Sequence, residues 1–333
     1  MFSYFVYGLA LQSNRLIPSL PFAQSTSAAD VKIDFKEIVC QPPPSAFEET
    51  AFGVRTRRDG DALAYDLWFQ GSKGRVEFEI NNLGSHISIT LMQATLDAAA
   101  ALLSGRILGL TLRLRGILCL HACVINIGGS AVAIVGESGA GKSTTGAALA
   151  KRGHAILSDD IAALKQQSDH WLVQPGYPRL RLWPNSVCEL YQTGVKPKKI
   201  FDSCDKVFVD LSEEKDISKS NSCEAVGQFQ TTPLPLKAIY ILQKRRPGSA
   251  APAIEPVALP SSAMHLMAHR SAGSITLDSK RQSKEFAAIA QMVQTVPVRQ
   301  VTRSDRLDYL PQLCDAIEND AARLLAPEEC LTC

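Results

Sequence analysis

The feature that most constrains the fold of this chain is a glycine-rich stretch, which lies between an apolar run and a helix-forming run. The fixed positions of the phosphate-binding pattern G-x-x-x-x-G-K-[ST] are occupied by Gly136, Gly141, Lys142 and Ser143. Residues 130–135 before the pattern are mainly apolar with β-branched side chains, and residues 144–152 after it are rich in helix formers. Strand, loop and helix in this order are the context that a nucleotide-binding loop requires. We therefore predict an α/β fold built around this loop.

The loop is predicted to bind the phosphates of a nucleotide along its whole length. The residues concerned are Gly136, Glu137, Ser138, Gly139, Ala140, Gly141, Lys142, Ser143 and Thr144. Glycine lets backbone N–H groups turn inward around phosphate oxygens, and the N-terminus of the following helix adds partial positive charge. The Lys142 ammonium can reach the β- and γ-phosphates, and the Ser143 hydroxyl can bind Mg²⁺. We therefore expect ATP and Mg²⁺ as cofactors, and a glycine-rich turn without a ligand is the disfavoured alternative.

Two adjacent acids, Asp159 and Asp160, follow the next short strand-like segment, at 153–158. In open α/β sheets, ligands bind at the carboxyl ends of the strands. One carboxylate placed there can hold the metal, and the other can accept a proton from an attacking hydroxyl. A solvated turn is the alternative, which the position of the pair disfavours.

His121 lies in the middle of an apolar segment, 116–127, which we predict to be one central strand. A lone histidine among apolar residues is usually a satisfied core residue. Here the next strand feeds the phosphate loop, so a functional role is equally compatible. Arg179 and Arg181 share one face of a later strand and can meet a phosphate or a carboxylate. Exposed arginines on an edge strand are the alternative for that pair.

The chain divides by periodicity into a β-rich N-terminal domain (1–91), a catalytic domain (92–326) and a tail (327–333). Apolar and polar residues alternate in the first part, and residues 5–11 read as its first strand. This part either shapes a substrate surface or covers the core. A helix over 92–109 opens the second part. Later elements are predicted as strands at 235–243 and 298–301 and helices near 261–269, 280–294 and 306–325. The polar stretch 211–233 is predicted to be a mobile loop, and the tail is predicted to be exposed.

Composition excludes several classes of protein. With 46% apolar and 20% charged residues and a net charge of +2, the chain resembles a globular protein and lacks the basic surface of a nucleic-acid binder. No apolar run reaches the roughly 18 residues of a transmembrane helix, so no membrane partner is expected. Nine scattered cysteines, an odd number, indicate a reducing cytoplasm rather than a disulfide framework.

The segment from Leu120 to Leu164 resembles the C-terminal catalytic domain of HPr kinase/phosphorylase. That family shows a strand with a histidine before a small residue, a G-x-S-G-x-G-K-S loop, a helix ending in R-G-H and a strand ending in D-D. The matching residues here are His121-Ala122, Gly136–Ser143, Arg152-Gly-His154 and Asp159-Asp160. The resemblance implies a P-loop kinase core with a mixed sheet and flanking helices, preceded by a small β-rich N-terminal domain.

The same resemblance implies roles for individual residues. Asp159 corresponds to the catalytic acid/base, which His121 assists, and Asp160 would help to hold the metal together with Ser143. The family's E-[IV]-R-G-x-G signature, tied to its phosphorylase reaction, is absent, and residues 178–184 stand in its place. This departure argues against dephosphorylation and against HPr as the acceptor. The layout looks like that of HPr-kinase-like proteins encoded beside lasso-peptide clusters, some of which phosphorylate the C-terminal serine of the precursor.

The reading that follows is an ATP- and Mg²⁺-dependent kinase acting on a serine of a peptide or protein. Catalysis would combine positioning with charge neutralisation by Lys142, while Asp159 takes the proton of the hydroxyl. A non-enzymatic, nucleotide-gated peptide-binding module is one alternative, and a small-molecule kinase is another. The acid pair favours chemistry over binding alone. An assembly of identical copies is compatible with each of these readings.

Overall fold

The computed structural model describes residues 1–18, 20–24, 28–38, 52–59, 62–71, 74–191, 198–199, 206–211, 227–248 and 251–326. Most of the polar stretch predicted to be a mobile loop, 212–226, lies outside these residues, as does the predicted tail, 327–333. Both therefore stay predictions.

Seven strands form one sheet at the N-terminal end, which confirms the β-rich prediction for this part. They are β1 (Phe2–Val6), β2 (Leu9–Ser13), β3 (Val31–Ile38), β4 (Phe52–Asp59), β5 (Ala62–Gly71), β6 (Gly74–Ile80) and β7 (His86–Met92). Their order in the sheet is β1-β2-β3-β7-β6-β5-β4. The pairs β2–β3 and β3–β7 are parallel, and the others are antiparallel.

The prediction of one strand over residues 5–11 is wrong, because the chain reverses in the middle of that range. Tyr7 and Gly8 have φ angles of 56° and 76°, both in the left-handed region. Two consecutive residues with positive φ match the twist of the tight hairpin turns that join antiparallel strands. Strands β1 and β2 therefore pair with each other, from Val6 opposite Leu9 to Phe2 opposite Ser13.

A helical connector leads from the first sheet to the second. It consists of α1 (Leu96–Leu102), a π-helical turn (Leu103–Ile107) and α2 (Leu108–Leu114). The Thr95 hydroxyl accepts a hydrogen bond from the Ala98 N–H (3.2 Å) and so caps α1. The helix predicted over 92–109 is confirmed in type, but it begins at Leu96, continues to Leu114 and contains the wider turn.

The second sheet is mixed and has helices on its faces. Up to the phosphate loop its strands are β8 (Leu118–Leu120), β9 (Ala122–Ile127) and β10 (Ser130–Gly136), and the loop leads into α3 (Lys142–Lys151). Next come β11 (Ile156–Ser158), β12 (Ala162–Gln167), β13 (His170–Gln174), β14 (Arg179–Leu182), α4 (Pro184–Tyr191), β15 (Lys198–Lys199) and β16 (Val207–Asp210). The last elements are β17 (Leu234–Leu242), β18 (Ala253–Pro256), α5 (Leu259–Ala268), α6 (Ser279–Thr295), β19 (Val298–Thr302), a 3₁₀ turn (Leu307–Tyr309) and α7 (Leu310–Leu325).

The strand order places the loop-bearing strand near the middle of this sheet. The main path is β11-β9-β10-β17-β13-β12-β8, and β19 pairs with β17 and β18. Strand β10 is parallel to β17, which is parallel to β19. Strands β14, β16 and β15 form a separate small sheet. The mixed sheet, the later strands and the three later helices are thus confirmed.

The prediction of one strand over 116–127 is wrong, because the segment breaks at His121. Residues before the break pair with β12, and those after it pair with β10 and β11. At the break, the His121 N–H donates to the carbonyl of His269 (2.7 Å) instead of to a strand neighbour. The break turns the His121 side chain toward the acid pair rather than into a sheet face.

The largest buried apolar cluster joins the two sheets. It contains residues of β1–β3, β5–β7 and the connector, and also Cys119, Ile161, Tyr177, Ile275 and Leu277 from the second part. The Tyr65 hydroxyl adds a hydrogen bond to the carbonyl of Thr276 (3.0 Å). The division at residue 91 stays a prediction, since apolar packing is continuous across it.

Two further observations concern cysteines and membranes. Cys119, Cys123, Cys188 and Cys314 are free thiols in the described part of the chain. Among its helices, none combines the length and the apolar character needed to cross a membrane.

Candidate active site

The phosphate loop leaves β10 at Gly136 and enters α3 at Lys142, in the order predicted from the sequence. Gly141 stands just before the helix with φ at 98°, in the region where a side chain on the Cα is strained. At Gly136 a Cβ atom would lie 3.0 Å from the Leu242 carbonyl oxygen of the neighbouring strand. Glycine is therefore required at both ends of the loop for backbone reasons.

The Lys142 ammonium lies inside the curve of the loop. It donates hydrogen bonds to the carbonyl oxygens of Gly136 (3.0 Å) and Glu137 (3.1 Å), and the residue is buried. Burial lowers the pKa of Lys142, although the carboxylates of Asp159 and Asp160 partly oppose this shift. The two hydrogen bonds hold the Lys142 side chain at the place where phosphate charge would accumulate.

Asp159 is the buried member of the acid pair, with 2% of its surface exposed. One carboxylate oxygen accepts the Ser143 hydroxyl (2.8 Å), and the other accepts the backbone N–H of Arg181 (2.8 Å). Burial raises the pKa of Asp159, and the negative charge of Asp160 adds to the rise, against the lowering effect of both hydrogen bonds. Asp159 therefore takes up a proton more readily than a solvated aspartate does.

Asp160 has opposite surroundings. Its carboxylate lies 3.2 Å from His121 Nδ1 and 3.2 Å from a terminal nitrogen of Arg181. Burial alone would raise the pKa of Asp160, but Arg181 and His121 together hold it well below its usual range. Asp160 has φ at 77°, a conformation that is uncommon outside glycine and is tolerated best by short polar residues.

His121 faces Asp160 through one ring nitrogen. Nδ1 lies 2.9 Å from the Asp160 carbonyl oxygen and 3.2 Å from its carboxylate. Both partner atoms are acceptors, so Nδ1 carries a hydrogen and donates it to them. The structure thus brings His121 to the acid pair, as the functional reading of this residue predicts.

Arg181 is anchored by one nearby residue, Tyr177, and by two residues of the connector that are distant in sequence. Its Nε donates to the Tyr177 hydroxyl (2.9 Å), and a terminal nitrogen donates to the Ala101 carbonyl (2.9 Å) and the Ser104 hydroxyl (3.0 Å). A Cβ atom on Gly105 would lie 2.7 Å from this guanidinium. The π-helical turn of the connector therefore packs directly against the site, in keeping with the frequent use of such turns at functional positions.

The two arginines that the sequence placed on one strand face have different roles. Arg181 belongs to the site, whereas the Arg179 guanidinium bonds to the carboxylate of Asp210 on the neighbouring strand. The sequence patterns did not predict three residues that contact Arg181, namely Tyr177, Ser104 and Gly105. The only signal for them was a glycine inside a helix-forming stretch, where it normally costs stability.

One cleft brings together the acid pair, His121, Arg181 and most of the phosphate loop. It is lined by His121, Ser138, Gly139, Gly141, Lys142, Ser143, Thr144, Asp159, Asp160, Arg181, Trp183 and Lys206. We call it the acid cleft. Of the predicted loop residues, Gly136, Glu137 and Ala140 do not line it, whereas His121 and both acids do. Trp183 and Lys206 are additions that no sequence motif indicated.

The oxygen ligands of the acid cleft fit Mg²⁺. Within the described ranges there is no group of three or more His, Cys, Asp or Glu residues able to hold a metal. Mg²⁺ does not require one, because it is usually held by one or two carboxylates together with substrate phosphates. Ser143 and Asp160 were predicted as ligands, and this stays a prediction. The structure adds that Asp159, rather than Asp160, touches the Ser143 hydroxyl.

Comparison with known proteins identifies the central segment. Residues 114–180 match the family described as HPr serine kinase C-terminal domain. The HPr kinase/phosphorylase of Lachnoclostridium phytofermentans is 39% identical over 54 residues, which are 16% of this chain and 18% of that protein. The same enzyme of Caldicellulosiruptor bescii is 42% identical over 53 residues, or 16% and 17% of the two chains.

A solved structure, the Hpr(Ser) kinase/phosphatase from Coxiella burnetii, aligns with 62% of this chain and 99% of its own, at 13% identity and a TM-score of 0.32. The chain spans less than a fifth of the length of the two curated relatives named above. The matched residues include His121, the whole phosphate loop and both acids, and they end just before Arg181. In the segment that holds its phosphate loop and its acid pair, the chain is therefore HPr-kinase-like.

Proposed function

We propose that this protein is an ATP- and Mg²⁺-dependent kinase that phosphorylates a serine hydroxyl of a peptide or protein. One observation carries the proposal. The hydroxyl of Ser143, at the end of the phosphate loop, is hydrogen-bonded to the buried carboxylate of Asp159 (2.8 Å), so the loop and the acid meet at one point. A phosphate held by the loop would lie within reach of a proton acceptor, as phosphoryl transfer to a hydroxyl requires.

The side chains of the acid cleft have different roles in phosphoryl transfer. Lys142 and Arg181 neutralise the charge that spreads over the phosphoryl oxygens in the transition state. Asp159, whose pKa is raised by burial, orients the acceptor hydroxyl and takes its proton. Mg²⁺, held by Ser143 and Asp160, would supply further charge neutralisation when bound. His121 acts as a positioning residue because it contacts Asp160.

The mouth of the cleft favours a particular acceptor, the C-terminal serine of a peptide such as a lasso-peptide precursor. Trp183 is 43% exposed there, and the Lys206 ammonium lies 5.8 Å from the centre of its ring. A C-terminal serine carries its own carboxylate next to the hydroxyl. Lys206 can pair with that carboxylate while Trp183 packs against the preceding residues.

The test is phosphoryl transfer to matched peptides. The full-length protein is incubated with ATP, Mg²⁺ and a panel of peptides, each prepared with a C-terminal serine, with the same serine amidated, and with alanine in its place. Intact mass spectrometry reports any added phosphate. We expect transfer to the serine acid, weaker transfer to the amide and none to the alanine peptide.

The Lys142→Ala variant serves as the site control and should transfer nothing while remaining folded by circular dichroism. Equal transfer to the peptide with a free C-terminal serine and to its amidated form would show that the C-terminal carboxylate is not recognised. The proposed kinase activity would still stand. If ATP binds but no peptide is phosphorylated, the nucleotide-gated binding module becomes the better description.

A further inference from the structure

We propose that a second cleft, on the other side of the phosphate loop, binds the nucleoside and the α-phosphate of the donor, with Arg245 and Arg303 as its cations. This second cleft is lined by Gly141 and Thr144 of the loop and by Arg245, Arg303, Tyr309 and Leu310, and also by Arg306, whose guanidinium carbon lies 6.0 Å from the centre of the Tyr309 ring. We call it the arginine cleft. The inference rests on the proposed kinase function and names the site for the part of the donor that is not transferred.

The two clefts meet on the phosphate loop. Gly141 and Thr144 line both of them, whereas Asp159 lines the acid cleft and not the arginine cleft, and Arg303 lines the arginine cleft and not the acid cleft. In phosphoryl transfer the attacking and the leaving oxygens lie roughly in line, on opposite sides of the transferred group. With the acceptor at Asp159, the leaving diphosphate must point away from the acid cleft. A phosphate chain laid along the loop therefore leads into the arginine cleft.

Arg303 is an unusual buried cation. Only 8% of its surface is exposed, and its Nε has no hydrogen-bond partner in the described part of the chain. A terminal nitrogen donates to the carbonyl of Ala140 in the loop. Burial lowers the pKa of Arg303 to about 10, and the positive charge of Arg245 adds to this shift. A buried cation normally requires a paired anion.

Arg245 reaches the same place from the end of β17. One of its terminal nitrogens donates to the Gly139 carbonyl (3.2 Å), and a Cβ atom on Gly141 would lie 3.4 Å from that nitrogen and 3.9 Å from Arg303. Two guanidiniums thus flank the last turn of the loop, and each repels the other. An oxyanion between them would relieve the repulsion and satisfy the buried Nε, which is the chemistry of a phosphate site.

The remaining wall suits a nucleoside better than an inorganic phosphate. Tyr309 and Leu310, at the junction of the 3₁₀ turn and α7, line the cleft beyond the arginines. An aromatic ring beside aliphatic side chains offers a base a stacking surface. Inorganic polyphosphate would bind the arginines but would make no stacking contact with Tyr309. The cleft is therefore expected to distinguish a nucleoside triphosphate from inorganic polyphosphate.

Calorimetry on the full chain tests this with two probes, ATP and inorganic tripolyphosphate. Arg245→Met and Arg303→Met should weaken the binding of both probes by about 10- to 100-fold, since each removes a charged hydrogen bond. Tyr309→Ala should weaken ATP by about 5- to 100-fold and leave tripolyphosphate unchanged. Arg246→Met is the matched control, because Arg246 is exposed and does not line the arginine cleft. It should bind both probes like the wild type.

The exposed Arg245 keeps the test valid if the buried Arg303 variant fails to fold. Wild-type ATP affinity in folded Arg245→Met and Tyr309→Ala, together with normal phosphoryl transfer by the wild type, overturns the arginine cleft and leaves the kinase standing. Equal loss of both probes in Tyr309→Ala overturns the nucleoside part alone. A wild-type protein that neither binds ATP nor transfers its phosphate overturns the inference together with the proposed function.

Discussion

Asp159 and Asp160 are adjacent in sequence, but the structure gives their carboxylates opposite environments. Burial raises the pKa of Asp159, while Arg181 and His121 outweigh burial and lower the pKa of Asp160. Carboxyl groups whose pKa values are pushed apart are suited to different tasks. The sequence predicted the pair and its place at the end of a strand. It could not predict the contrast, because that depends on Arg181, whose position is set by tertiary contacts with the connector.

The first prediction separates chemistry from binding at Asp159. Asp159→Asn keeps the shape of the side chain but removes the charge that accepts the proton. Single-turnover transfer should slow by about 10²- to 10⁴-fold, while ATP affinity measured by calorimetry stays within a few-fold. A nearly unchanged transfer rate would move the base elsewhere, and His121 would be the first candidate.

The second prediction concerns stability and pH at Asp160. Because the pKa of this carboxyl is lower in the folded than in the unfolded protein, the folded state binds fewer protons, and the ionised group stabilises it. The stabilisation is fully present above the unfolded pKa, about 3.9, and is lost as the pH falls toward the folded value. Urea unfolding of Asp160→Asn and wild type should therefore differ most near neutral pH. A difference that grows as the solution is acidified would contradict this sign.

At the scale of elements, the strand, loop and helix around the phosphate site follow the sequence closely. Strand β10 and helix α3 lie where the apolar run and the helix formers predicted them. Local sequence patterns predict these elements correctly because their requirements are local. The loop needs glycine for particular backbone angles, and the helix is held by hydrogen bonds between neighbouring turns. The break at His121 was not predictable, since it depends on a hydrogen bond to the carbonyl of His269, far along the chain. The same holds for Ser104, which meets Arg181 across 77 residues.

The third prediction tests the seating of α3 on the sheet. Gly146, in the middle of α3, approaches β9 so closely that an added Cβ atom would lie 2.3 Å from the sulfur of Cys123. Alanine favours helix by about 0.5–1 kcal/mol, but overpacking typically costs about 1–3 kcal/mol. Gly146→Ala should therefore lower the free energy of unfolding by about 1 kcal/mol, measured by urea denaturation.

Cys123→Ala removes the sulfur and supplies the matched partner for a double-mutant cycle. In the double variant the cost of crowding disappears, so the loss in stability should be smaller than the sum of the two single losses. Simple additivity would show that α3 shifts to accommodate the methyl group and that its seating is not tight.

At the scale of the whole molecule, a buried ion network ties the connector to the C-terminal helices. The carboxylate of Glu285 on α6 accepts two hydrogen bonds from Arg113 on α2 (2.6 and 2.9 Å) and one from Arg270 (2.7 Å). Arg113 is 1% exposed, and it also donates to the carbonyls of Ala272 and Ile275. Such a network is costly to form and more costly to break, because removing one member leaves buried charge without compensation.

The fourth prediction follows from that network. Glu285→Gln leaves two guanidiniums facing a neutral amide and should reduce the free energy of unfolding by about 3–5 kcal/mol. Glu318→Gln on α7 is the control. Glu318 pairs with Arg152 and His154 nearer the surface, and its loss should cost about 0–1 kcal/mol. If chemical denaturation shows similar losses in the free energy of unfolding for the two variants, the buried network does not contribute more to stability than the surface pairs.

The apolar cluster that spans both sheets has a consequence for how the molecule opens. Side chains of β3 and β7 pack in the same cluster as Cys119 and Ile161 of the catalytic part. Separating the N-terminal sheet would therefore expose the underside of the catalytic core in the same event. Amide hydrogens in the middle of β3 and β7 should then exchange with deuterium at the slow rate set by global unfolding, in step with those of β10. A protease would accordingly find no intermediate in which the kinase half persists while the first sheet is detached.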